Sequence, residues 1–152
     1  MSQPKVIHSS PHDIEQAFYE ALENADLDAL MALWADDEHV VCIHPGGPRV
    51  EGYHDVRDSW KEILSSGALH IRVVPVHSVE GVMVAVRTLL EQVVVNASPT
   101  EQHVMQVSAT NVFHKGPSGW KLVMRHASPA MDADDMLEED DFSEFDPLPT
   151  LH

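Results

Sequence analysis

"FYEALENADLDALMALWADDEHVVCIHPGG", residues 18–47, changes its periodicity twice. Ile14, Phe18, Ala21, Leu22 and Ala25 recur at three- and four-residue spacing, which predicts an amphipathic helix. Its start is marked by Ser10 as cap, Pro11 at the first helical position and Asp13 three residues after the cap. "NADLD" interrupts the pattern and offers Asp26 or Asp28 as a new cap, after which Leu27, Leu30, Met31 and Trp34 form a second, shorter apolar face. "HVVCI" then reads as a strand bounded by the turn "HPGGPR". Strand alternation sets Val40, Cys42 and His44 on one side. A histidine there is either a polar edge of an ordinary core or part of a cavity wall.

Downstream, "YHDVRDSWKEILSS" fits a third helix with Val56, Trp60, Ile63 and Leu64 on one side. "HIRVVPVHSV", "GVMVAVRTLLEQVVVN", "EQHVMQVSATNVFHK" and "GWKLVMRHAS" are rich in β-branched residues and mostly alternate, with "GPSG" as a hairpin connection. Helices followed by successive antiparallel strands predict an α+β fold, with helices packed on one face of a curved sheet. In the last hairpin, placing Phe113 opposite Trp120 sets Asn111 against Leu122, Ala109 against Met124, Val107 against His126 and Met105 against Ser128. That register gathers both apolar rows on the concave face, interrupted by His103, Asn111, His126 and Ser128.

The chain has 152 residues, enough for one domain with a core, and a net charge of −16. Nine of its acids lie from Asp132 onward, leaving 16 acids against 9 bases, a net −7, in the body. An acidic body repels phosphate backbones and anionic lipids, so neither a nucleic-acid nor a membrane partner is expected. No apolar stretch reaches bilayer length, and "MSQPKVIHSSPHD", residues 1–13, lacks the long apolar core and small-residue cleavage site of a secretory signal. With a single cysteine and no such signal, a cytoplasmic protein is the expectation. The division expected is an N-terminal segment at 1–9, a domain at 10–130 and an acidic tail at 131–152. The tail is either disordered or docks through its scattered Met, Leu and Phe residues.

The run from Phe18 to Gly47, the "GYHDVRDSW" helix and the closing "GWKLVMRHAS" strand together resemble the nuclear transport factor 2-like superfamily, in its SnoaL-like, ketosteroid isomerase-related branch. The resemblance spans roughly residues 10 to 130. It implies a cystatin-like cone of curved antiparallel sheet wrapped on the N-terminal helices, with a deep pocket at the open end and a homodimer through the outer sheet face. The isomerases of that branch use a helix tyrosine, a strand-end aspartate and a late-strand acid. Phe18, Cys42 or His44, and Ala109 stand in those places here, so the resemblance does not imply that reaction.

His44 and His126 are the candidate catalytic residues, because imidazole titrates near neutral pH. Asn111, His103, Trp60, Cys42, Met124 and Tyr53 are the candidate ligand contacts, a mostly apolar set with a few polar groups. No HxH or HExxH spacing joins the histidines and no glycine-rich phosphate loop is present, so neither a metal nor a cofactor is expected. Three functions remain open: a binder of a small, mostly apolar molecule, an enzyme using a pocket histidine as general acid or base, and a dimerisation or interaction module.

Overall fold

The computed structural model describes residues 10–98 and 100–130. Helix α1 (Pro11–Glu23) begins at Ser10, whose hydroxyl accepts the amide N–H of Asp13 at 3.1 Å. This supplies a partner to one of the amides that a helix start leaves bare. Helix α2 (Leu27–Met31) is capped in the same way by Asp26, which accepts from the Ala29 amide at 3.0 Å. The chain then runs through Trp34 into β1 (Val41–Ile43), turns, and returns as β2 (Arg49–Glu51). Gly52, at φ +93°, lets β2 pass directly into α3 (Tyr53–Leu64), while its N–H donates to the Val40 carbonyl at 2.8 Å.

Four strands complete the sheet: β3 (His70–Glu80), β4 (Val84–Ser98), β5 (Glu101–Gly116) and β6 (Gly119–Pro129). The order is β2-β1-β6-β5-β4-β3, and every neighbouring pair is antiparallel except β1 with β6. The architecture is the α+β arrangement expected, with one parallel contact and a short extra strand, Arg49–Glu51, that starts at the last residue of the expected turn. Ile14, Phe18 and Leu22 of α1, with Trp34, Val56 and Trp60, form a core against Phe113 and Leu122 of the sheet. No helix among the described residues is long and apolar enough to cross a membrane. The acidic tail, residues 131–152, lies outside the described residues.

The register of the last hairpin corrects the sequence expectation. Phe113 faces Leu122, not Trp120, and Val112 faces Met124. Val123 is therefore an extra residue on β6, a bulge that reverses the alternation beyond it. From there Asn111 faces Arg125 and Ala109 faces Ala127, and these four side chains are buried. Met124 and His126 turn to the other face, where His126 is exposed. A strictly alternating strand would have carried them inward.

This parity sets stability as well as placement. Phe113→Ala should lower unfolding free energy by roughly 3–5 kcal/mol, as for other large core truncations. His126→Ala should stay within about 0.5 kcal/mol. Urea titration of both variants measures the difference, and a costly His126→Ala would contradict the bulge.

Candidate functional site

Between α3 and the inner sheet face lies a cavity of about 300 Å³. Leu22, Ile63, Leu69, Ile71, Val93 and Val107 make most of its wall, with Trp60 and Met105 beside them. Three polar side chains interrupt that wall: His44, Glu91 and Arg125. Each comes from a different strand or strand end, brought together because β1 and β5 flank β6 and β4 follows β5.

Glu91 and Arg125 are 1% and 4% exposed, and they pair bidentately: both terminal nitrogens of the guanidinium donate to the carboxylate at 2.8 Å. Arg125 also donates to Asn111 Oδ1 at 3.3 Å and lies over the Phe18 ring, 5.1 Å from its centroid. Tyr19 of α1 donates its hydroxyl to Glu91, so a helix, β4, β5 and β6 meet at one ion pair. Burial, against the pull of Arg125, raises the Tyr19 phenol above its ordinary range and holds it protonated, and the Glu91 carboxylate reinforces this. Burial opposes the guanidinium charge, and Glu91 outweighs it, so Arg125 stays charged.

His44 sits at the end of β1, its Nε2 3.0 Å from Ser59 Oγ on α3 and its ring edge-on to Trp60 with centroids 4.7 Å apart. Ser59 gives its one hydroxyl proton to the Val56 carbonyl at 2.7 Å. Its oxygen is therefore left to accept, which assigns the Nε2–H tautomer to His44 and leaves the lone pair on Nδ1. Burial, with the positive charge of Arg125, pulls the imidazole down to about 4, so it is neutral near pH 7.

Of the residues singled out in the sequence, His44 and Trp60 line this cavity. Cys42 is wholly buried in the core beside His44, its sulfur 4.0 Å from Nδ1 and 3.8 Å from Nε2. Burial, against the pull of Arg125, pushes its thiol up to about 12, the state of an inert structural cysteine. Asn111 is buried and bonded to Arg125, behind the wall rather than in it. His103 shares the inward row of β5 but is exposed and outside the lining. His126 and Met124 face the other way because of the Val123 bulge, so they do not enter the cavity as expected. Tyr53 is at a separate, open depression with Asp36, Asp37 and Glu38, where its hydroxyl donates to the Met31 carbonyl at 3.5 Å.

Glu91, Arg125 and Tyr19 were missed. The available signal was a charge on an apolar strand row, "TLLEQVVVN", matched by another in "LVMRHAS". Among the described residues no three His, Cys, Asp or Glu side chains are grouped to hold a metal.

A profile for the SnoaL-like domain matches residues 12–132. The chain is a SnoaL-like domain of the nuclear transport factor 2-like superfamily. No curated protein matches it. Among solved structures, this SnoaL-like domain is similar to a Thiobacillus denitrificans protein described as a calcium/calmodulin-dependent protein kinase type II association domain. They share 32% identity over 84% of this chain and 100% of that one, with a TM-score of 0.76. It is also similar to a Streptomyces avermitilis protein of the same superfamily described as a dehydratase, at 31% identity over 78% of this chain and 93% of that one, TM-score 0.70. A ketosteroid isomerase-like protein from Erwinia carotovora atroseptica shares the fold at 16% identity, covering 80% of this chain and 94% of that one, TM-score 0.68.

The His44 environment makes stability depend on pH with a definite sign. The unfolded chain takes up a proton near the ordinary 6.5, the folded SnoaL-like domain only near 4. Between these values the unfolded state carries more proton, so stability rises with pH and is lost as pH falls from about 6.5 toward about 4. His44→Gln removes this contribution. The drop in urea midpoint between those two pH values should be smaller in the variant than in the parent protein.

Proposed function

We propose that the cavity holds a small, mostly apolar molecule without converting it. The observation that carries this reading is the mostly apolar wall of Leu22, Ile63, Ile71, Val93 and Val107 around a partly open void of about 300 Å³, the lower end of ligand-site volumes. At roughly 30 Å³ per water, that void has room for about ten water-sized groups.

A second reading, catalysis, draws on the Nδ1 lone pair of His44 and on the relative described as a dehydratase. A dehydration needs a proton donor for the departing hydroxyl as well as a base. Glu91 does not supply it: its oxygens accept from Arg125 and from Tyr19. A neutral His44 whose Nε2–H is held by Ser59 is an acceptor without a partner acid in the wall, and binding is favoured. The lone cysteine, a buried free thiol, is in keeping with a reducing, cytoplasmic setting.

A thermal-shift screen with small uncharged aromatic and alicyclic compounds tests this reading. Hits should raise the melting temperature of the parent protein and leave Val107→Trp, which fills the void, unmoved. Hits that stabilise both proteins equally would place binding elsewhere. Recovery of unchanged ligand after incubation separates binding from turnover.

The outer sheet face supports a homodimer. Val74 and Leu90 face each other across β3 and β4, and with Val79 and Val104 they leave large apolar side chains 40–58% exposed. Light scattering should give twice the chain mass, and Leu90→Glu should return it to one chain with its circular dichroism unchanged. A parent protein that is monomeric at micromolar concentration would overturn the dimer.

A further inference from the structure

We infer that the Glu91–Arg125 pair makes the cavity selective for uncharged ligands, against carboxylates of the same shape. The inference rests on the cavity being a ligand site. Among the residues lining it, Arg125 is the one guanidinium or ammonium group. A lone arginine in an apolar hollow would favour an anion, because little water remains to screen it. Here both terminal nitrogens are already committed to Glu91 at 2.8 Å. The end-on fork of the guanidinium is therefore occupied by the protein's own carboxylate, and the Nε that remains without a partner is itself buried.

An incoming anion meets a positive and a negative charge in contact with each other, so attraction to one is offset by repulsion from the other. It still gives up its hydration, the larger cost in an apolar site. The remaining polar wall residue, His44, adds a neutral ring, with Nε2–H held by Ser59 and a lone pair at Nδ1. It offers an acceptor, which suits a ligand hydroxyl and repels a carboxylate. Glu91 is thus a specificity-determining residue through Arg125: it cancels a charge that would otherwise select for anions.

Three probes of one shape test this on the whole chain near neutral pH by calorimetric titration: naphthalene, 2-naphthalenemethanol and 2-naphthoate. In the parent protein the alcohol should bind at least tenfold more tightly than the naphthoate. Naphthoate binding as tightly as the alcohol, or more tightly, overturns the inference while leaving the ligand site standing. Silence from all three overturns the ligand-site reading and the inference with it. Glu91→Gln, with its fold checked by circular dichroism, should shift the alcohol-to-naphthoate ratio at least tenfold toward the anion. A folded variant with an unchanged ratio would show that the pair does not set the preference. Should that variant fail to fold, the ratio in the parent protein alone decides.

Discussion

The bidentate contact between Glu91 and Arg125 is the constraint on which the rest of the inner sheet depends. It spans from β4 to β6 across β5, with Asn111 of the intervening strand as a further partner of the guanidinium, whose Nε is buried without one. Two charges removed this far from water are a weak source of net stability, since desolvation cancels most of their attraction. Losing one partner, however, strands the other at a cost of roughly 3–5 kcal/mol. The pair therefore acts more as a specification than as a reserve of stability. Only a register that brings both side chains to the same depth is tolerated, and that register is the one observed.

The same contact ties the helical layer to the sheet. Tyr19 reaches Glu91 from α1, and Phe18, one residue earlier, offers its ring face to the guanidinium. A second, largely buried pair makes a single contact: Arg87 Nε of β4 donates to Glu15 of α1 at 2.8 Å. The contacts of Tyr19 and Phe18 with the first pair, and the Arg87–Glu15 contact, thus set how α1 lies across the strands, while the apolar core supplies the driving force. Where the wall departs from that core, opposite Trp60 and Ile63 of α3, the void remains. The cavity is what these fixed elements leave between them.

Much of this was legible in the chain and some was not, for physical reasons. Caps and periodicity are local, so Ser10 and the apolar face of α3 could be read directly, and the cap of α2 was narrowed to Asp26 or Asp28, of which Asp26 is the one used. The superfamily resemblance implied a curved sheet wrapped on the N-terminal helices with a pocket at its open end, but not the parallel contact of β1 with β6. His44 and Trp60 followed from alternation and helical spacing, and both are in the wall. His126 and Met124 failed because alternation holds only while a strand is regular, and nothing in "KLVMRHAS" marks Val123 as the extra residue. Glu91 and Arg125 were passed over because a charged residue within a strand is ordinarily taken as facing water. Only the three-dimensional coincidence of the two makes burial tolerable.

The bulge at Val123 has a bearing on how such a hollow changes over evolutionary time. Downstream of it, the bulge decides which of two adjacent sets, Arg125 and Ala127 or Met124 and His126, is turned inward. Were the bulge flattened with Val123 retained, Met124 and His126 would turn inward in place of Arg125 and Ala127, whereas loss of Val123 itself would leave Arg125 and Ala127 facing inward. Related folds can therefore diverge in internal chemistry through the presence or absence of one bulge, a difference that comparing aligned residues column by column would not show.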